Sequence, residues 1–111
     1  MNEGLATVMI HQVELTAPAP AGSSRDVFVC IRGEDVILQR EAAASTSSVR
    51  NRLSARIVSV RVEGALLRIE LDAGFPLFAL VTRPAGAELA LREGETVIAL
   101  IKASSIHLVP R

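Results

Sequence analysis

The chain has no tryptophan and no tyrosine, only three phenylalanines, a single cysteine and no surplus of charge of either sign. Each shortage excludes something. Lys plus Arg and Asp plus Glu number 12 each, so the basic excess of a protein that tracks a phosphate backbone is missing. Three aromatic rings leave little on which to stack bases, which sets aside single-stranded nucleic acid as a partner. Cys30, inside VFVCIR, has no internal disulfide partner, and its expected role is that of a small buried hydrophobe. The lack of a cysteine framework fits a reducing cytoplasm. No apolar run reaches the roughly 18 residues of a membrane span, and MNEGLATVMIHQ lacks the basic region and hydrophobic core of a signal peptide. The expectation is a soluble, cytoplasmic protein with no direct membrane insertion.

Recognisable catalytic patterns are absent too. No Gly-rich phosphate loop ends in Lys-Ser or Lys-Thr, so this chain by itself cannot be an ATPase. There is no Ser-His-Asp order and no nucleophile elbow. His11 and His107 have no metal-ligand spacing with each other or with Cys30. The expectation is a protein that is not an enzyme and holds no metal ion.

What is present is aliphatic. Half of the 111 residues are hydrophobic, mainly Val, Ile, Leu and Ala, a composition that favours strands. The length suits one domain or a close pair of small ones. Residues 5–15 (LATVMIHQVEL) read as a first strand, and TAPAPAGSS (16–24) as a loop. VFVCIR (27–32) and DVILQ (35–39) are strands divided by a turn at Gly33 and Glu34, and EAAASTSS (41–48) is a linker. In RLSARIVSVRV (52–62) the apolar side passes from Leu53, Ala55 and Ile57 to Val58, Val60 and Val62, which points to a bulge or a strongly coiled strand. ALLRIELD (65–72) and LFALVT (77–82) follow, joined by AGFP. A helix is expected near 83–91, capped by Thr82, with Pro84 in its first turn and Gly94 beyond its end. ETVIALIK (95–102) and SIHLV (105–109) close the chain. Five strands with one short helix before the fourth make an all-β, OB-like barrel over 46–111.

An internal repeat accompanies this barrel. VFVCIRGEDVILQ (27–39) lies over VIALIKASSIHLV (97–109) without a gap, at an offset of 70 residues. Each copy is an apolar strand ending in a cation, a small-residue turn and a second apolar strand. The second copy has about 45 residues of strands and helix ahead of it; the first has about 25, partly loop. Residues 1–45 therefore read as an incomplete first half plus linker, completed by a longer polypeptide or by another chain. The turns differ in charge. The first is Arg-Gly-Glu-Asp and the second Lys-Ala-Ser-Ser. Two carboxylates repel a dianion where two hydroxyls accept one; at about 4 Å the charge term is roughly 4 kcal/mol at a near-surface dielectric. ETVIALIK and VFVCIR are apolar on both faces, which leads us to expect a homodimer or higher oligomer.

A second donor cluster stands at the start of the long strand. SSVRNRL (47–53) offers hydroxyls, a guanidinium and a carboxamide with no carboxylate among them. SVRN (48–51), VTRPAGAELAL (81–91) and VIALIKASSIHL (97–108) together resemble the TOBE domain, the OB-like oxyanion-binding module of molbindins, of molybdenum-responsive regulators and of molybdate-importer ATPases. The family's Ser-Ala-Arg-Asn is matched with Val49 in place of alanine, and Lys-Ala-Ser is matched in full. RGEDVIL (32–38) resembles the end of the preceding half in the importer ATPases. The resemblance implies an oxyanion ligand, molybdate or tungstate, bound between subunits by Ser48, Arg50, Asn51, Thr82, Lys102, Ala103 and Ser104. Ala85 stands where the regulators carry a further serine. It also implies ABC transporter ATPase or permease subunits as partners. The alternatives are a structural dimerisation module without a ligand of its own, and a stand-alone storage molbindin.

Overall fold

The computed structural model describes residues 4–20, 26–40 and 49–111, with the side chains of the last stretch described from Asn51 onward. Among the described residues, nine strands and one helix run in the order β1 (Leu5–Ile10), β2 (Val13–Pro18), β3 (Val27–Ile31), β4 (Ile37–Gln39), β5 (Val49–Glu63), β6 (Leu66–Asp72), β7 (Pro76–Thr82), α1 (Arg83–Leu89), β8 (Thr96–Lys102) and β9 (Ile106–Pro110). One-turn 3-10 helices at Gly33–Asp35 and Ala103–Ser105 join β3 to β4 and β8 to β9.

The main sheet has five strands in the order β4-β8-β5-β6-β7, all its pairs antiparallel. β5 curls the sheet. Its first part pairs with β8 and its second with β6, and between Ile57 and Ser59 it carries a bulge opposite Leu71 and Glu70. The extra residue, Val58, changes which parity faces inward. Leu53, Ala55 and Ile57 are buried ahead of it, and Val60 packs on the core after it. The expected crossing of the apolar face is therefore a bulge. Ile57, Ile69, Leu71, Ala79, Val97 and Ile101 form the centre of the core, each 0–1% exposed.

Three expectations are corrected. Residues 5–15 are a hairpin and not one strand: His11, at φ 56°, turns the chain between Ile10 and Val13, and β2 continues to Pro18. The polar pair His11-Gln12 interrupts the alternation because it is the turn. The fifth strand of the main sheet is β4 and not residues 105–109; β9 pairs with β3 instead. Cys30 is exposed, since alternation in β3 turns Val27, Val29 and Ile31 inward and Phe28 and Cys30 outward. The expected linker at 41–48 lies outside the described residues.

The second correction reveals how the repeat is built. β4 lies on β8 with Ile37 opposite Leu100, Leu38 opposite Ala99 and Gln39 opposite Ile98. Moving every residue to its repeat counterpart gives His107 opposite Cys30, Leu108 opposite Val29 and Val109 opposite Phe28. Those are the pairs of β9 on β3. Each half thus gives its last strand to the other. The turns obey the same exchange: Gly33 packs against Leu80 of β7, and the Ala103–Ser105 turn packs against β2. The apolar faces of ETVIALIK are covered inside the chain, because β8 runs between β4 and β5 with Val97, Ala99, Leu100 and Ile101 all buried.

Helix α1 starts as expected. Thr82 Oγ1 accepts the Ala85 amide at 3.2 Å, and Pro84 occupies the first turn, where its missing N–H costs nothing. It ends earlier than Gly94, on Ala90 in the left-handed region (φ 52°, ψ 50°). That conformation costs an alanine about 1–2 kcal/mol, partly offset in glycine by its greater chain entropy. Ala90→Gly is expected to stabilise the protein by about 0.5–1 kcal/mol, read as a higher urea midpoint at unchanged m-value.

Candidate functional site

The donor residues fall into two groups at opposite ends of β5. At its start, Val49 lies opposite Lys102 and Asn51 opposite Ile101, so Arg50 is the extra residue of a second bulge. The bulge sits directly beside the Lys102–Ser105 segment, since Val49 is opposite Lys102. Lys102 and Ser104 are exposed, while Ala103 is buried and gives the turn its tight packing. Among the described residues no carboxylate pairs with Lys102. Ser48 lies outside the described residues. Arg50, Lys102, Ala103 and Ser104 are therefore brought together by backbone position.

Thr82 is not brought to them. It pairs with Leu66, which follows Glu63 at the far end of β5. Roughly 45 Å of strand path at about 3.3 Å per residue separates the two ends. The Thr82 oxygen is occupied by the Ala85 amide, but its hydroxyl proton remains available to an acceptor.

Asn51 has a different role from its neighbours. It is 4% exposed, the one buried polar residue among those described. Its Oδ1 accepts the Thr16 amide at 2.8 Å, and its Nδ2 donates to the Thr16 carbonyl at 3.0 Å and the Ile101 carbonyl at 3.2 Å. Both amide hydrogens are thus engaged by the protein itself. A side chain that presents a donor and an acceptor to one residue's backbone mimics a strand neighbour, and this one ties β2 to the junction of β5 and β8. Sequence reasoning placed Asn51 among the ligand donors; its structural role depends on β2, and no local signal in SVRN reveals it.

The first turn is chemically the opposite of the second. Arg32 lies 3.0 Å from Glu34 and 3.8 Å from Asp35. Glu34 is held below the usual carboxylate range, first by a hydrogen bond from its own backbone and then by Arg32. The Arg32 guanidinium is pushed up in turn by its hydrogen bond to Glu34 and by both carboxylates. This cation is neutralised within its own turn, whereas the repeat-related Lys102 has two serines in place of two carboxylates. A separate groove of about 260 Å³ on the outer face of β5–β7 has Arg61 and Arg68 interleaved with Glu63 and Glu70. Its mixed charge, with Arg68 3.7 Å from Glu63 and stacked 4.1 Å over Phe78, does not suit a dianion. His11 and His107 are both exposed, and Cys30 lies opposite His107 across β3 and β9.

Comparison with known proteins places this arrangement. The model of the TOBE domain matches residues 47–108, more than half of the chain. The chain belongs to the TOBE domain family. It is 38% identical over 110 residues to the molybdate/tungstate import ATP-binding protein WtpC of Pyrococcus horikoshii, covering 97% of this chain and 31% of that protein. It is 38% identical over 102 residues to the molybdenum import ATP-binding protein ModC of Vibrio cholerae, covering 87% of this chain and 26% of that one. The TOBE chain thus spans about a third or less of these relatives' length. Its fold matches that of the cytoplasmic molybdate-binding protein ModG, solved with molybdate bound, at a TM-score of 0.76 and 24% identity, over 88% of this chain and 77% of ModG. The structural likeness covers more of the chain than residues 47–108. Among the described residues no helix is long and apolar enough to cross a membrane.

Two measurements check this geometry. Asn51→Ala leaves the Thr16 amide and carbonyl and the Ile101 carbonyl without their partner. An unsatisfied buried group costs about 1–3 kcal/mol. Only the Ile101 bond is fully buried, while the two Thr16 bonds are part-buried. A loss of about 2–4 kcal/mol in all is therefore expected in urea denaturation, with little change for Ser104→Ala. In an NMR pH titration, Glu34 is expected to titrate below the ordinary glutamate range and to move up in Arg32→Ala. Whatever stability Glu34 confers is present above its unfolded-state pKa and is lost as the pH falls through the depressed folded-state value.

Proposed function

We propose that this TOBE chain binds a tetrahedral oxyanion, molybdate or tungstate, in a site shared between two copies. The observation that carries the proposal is the Arg50 bulge beside Lys102, Ala103 and Ser104, two cations and a hydroxyl with no carboxylate paired to the lysine among the described residues. A fully ionised dianion has no proton to give, so its site consists of donors alone. Arg50 supplies a planar fork of N–H groups and Lys102 a compact positive charge. Ser48 and Ser104 supply hydroxyls, and the Ala103 turn lets backbone amides approach. The curated relatives import molybdate, molybdenum or tungstate, as their names state.

The separation of Thr82 from Lys102 along β5 supports the two-copy arrangement. A ligand that meets both ends takes Lys102 from one copy and Thr82 from its partner. Occupancy then couples to association, and the oxyanion strengthens the dimer by the affinity it has for the completed site. Within an importer this makes the domain a sensor of cytoplasmic oxyanion that acts on the ATP-binding and permease subunits, without catalysis of its own. Asn51 favours a second reading, a purely structural dimerisation module, because its amide hydrogens already serve the fold.

Isothermal titration with molybdate, tungstate and sulfate, paired with sedimentation, separates the two. Lys102→Ala and Arg50→Ala are each expected to weaken molybdate binding about 10- to 100-fold, since a hydrogen bond to a charged partner contributes roughly 1.5–3 kcal/mol. Arg32→Ala, in the self-neutralised turn, should leave affinity within about twofold, below the roughly 1 kcal/mol of an exposed ion pair. Equal losses at Arg32 and Lys102 would mean general charge attraction with no formed pocket. Dimers that take up no oxyanion would leave the structural module standing.

A further inference from the structure

The repeat is complete in its second half and open in its first. β5 runs between β8 and β6 and pairs with both. The counterpart of β8 is β3, and the counterpart of the β6–β7 hairpin is the β1–β2 hairpin. In the hairpins, Ala6, Val8 and Ile10 occupy the places of Ile69, Leu71 and Ala73, and Leu15 and Ala17 those of Leu77 and Ala79. Among the described residues nothing lies between β1 and β3. They belong to separate two-stranded sheets, and each keeps one open edge.

The gap has measurable consequences. A cavity of about 670 Å³ lies between Thr7–Ile10 of β1 and Val27–Val29 of β3. It meets a smaller one of about 120 Å³ that shares Ile10 and Val29 and is lined by Ile31 and Phe78. Burial differs between the halves in the same place. Val97, Ala99 and Ile101 are 0–1% exposed under β5, whereas Val27, Val29 and Ile31 are only half-buried. Ile69 and Leu71 are buried, whereas Ala6 and Val8 are half-buried. The cross-strand pairs of the two hairpins correspond, but among the described residues the first half has no strand in the place of β5.

We propose that the slot between β1 and β3 takes up an extended strand of a partner polypeptide, which completes the first half as β5 completes the second. The repeat fixes the strand's chemistry. It runs antiparallel to β3 and then to β1. Leu53 and Ala55 face Ala99 and Val97, so the incoming strand sets apolar residues opposite Val29 and Val27. Ile57 and Val60 face Leu71 and Ile69, so it sets further apolar residues opposite Val8 and Ala6, with a bulge between them. Asn51 binds the Thr16 backbone and the Ile101 carbonyl. The counterparts of those two residues are Phe78 and Ile31, which line the smaller cavity, so an amide side chain near the strand's start belongs there. Main-chain hydrogen bonds supply the affinity and the alternating pockets the selectivity. The β5 of a second copy is paired on both edges by its own β8 and β6 and is not free to enter. Nothing in this arrangement depends on the oxyanion.

The test uses the full 111-residue chain and a synthetic peptide of residues 50–63 as the probe strand, followed by amide hydrogen exchange. One peptide per chain is expected to slow exchange on the order of tenfold or more across Leu5–Ile10 and Val27–Ile31, where open edges otherwise exchange readily. The amides of β6 and β8 should be unchanged, which separates slot binding from displacement of the resident β5. A peptide carrying Asn51→Ala should bind less tightly, and the Val8→Lys protein should lose the peptide while β6 and β8 keep their protection. Should Val8→Lys not fold, Val27→Lys serves the same purpose on the other wall. Protection at β4 or β7, or none, would overturn the proposal. So would a dimer whose β1 and β3 amides are already protected without peptide, since a second copy would then fill the slot.

Discussion

The exchange of last strands between the two halves is the constraint on which the rest of this structure depends. β4 completes the sheet of the second half and β9 pairs back onto the first, in the same register under the repeat. A strand as apolar as β8 needs a neighbour on each edge and cover on each face, and the exchange supplies one of those neighbours. It also fixes the two turns. Because each turn leads into a strand that lies in the other half, Gly33–Asp35 sits on β7 and Ala103–Ser105 sits on β2. The Asn51 carboxamide then fastens β2 to the β5–β8 junction, holding the second turn where Lys102 and Ser104 stay exposed.

Much of this was legible in the chain. The parity change along 52–62, the Thr82-Arg-Pro helix start and the gapless repeat each have a local cause, and each appears where the residues placed it. What stayed hidden depends on distant partners. The hairpin inside 5–15 turns on His11 with a positive φ, a conformation that histidine tolerates but does not announce. The β4 and β9 swap is invisible to periodicity, because both strands alternate correctly whichever neighbour they take. Cys30 was misjudged because VFVCIR looks uniformly apolar, while in a strand with one open face alternate residues meet water.

The site was legible in part for the same reason. Chemistry that lies in one segment, such as Lys-Ala-Ser after an apolar strand, can be recognised as donors without acceptors. The Arg50 bulge beside Lys102 depends on cross-strand register. Asn51 carries the clearest lesson: it has the right chemistry for a ligand and uses that chemistry on Thr16 and Ile101. Thr82 shows the converse, an available hydroxyl at the wrong end of the strand for a site within one chain.

The strand exchange also sets the order in which this molecule can fold. β3 pairs with residues at the very end of the described chain, and β4 waits for β8. Neither contact can form until β8 and β9 are available, so closure joins segments far apart in sequence and its chain-entropy cost falls late. A sheet protein dominated by such distant pairings folds on the slow side of the range for small domains. During synthesis β3 and β4 emerge well before their partners β9 and β8, and in that interval they are the strands most exposed to misassociation with other nascent chains.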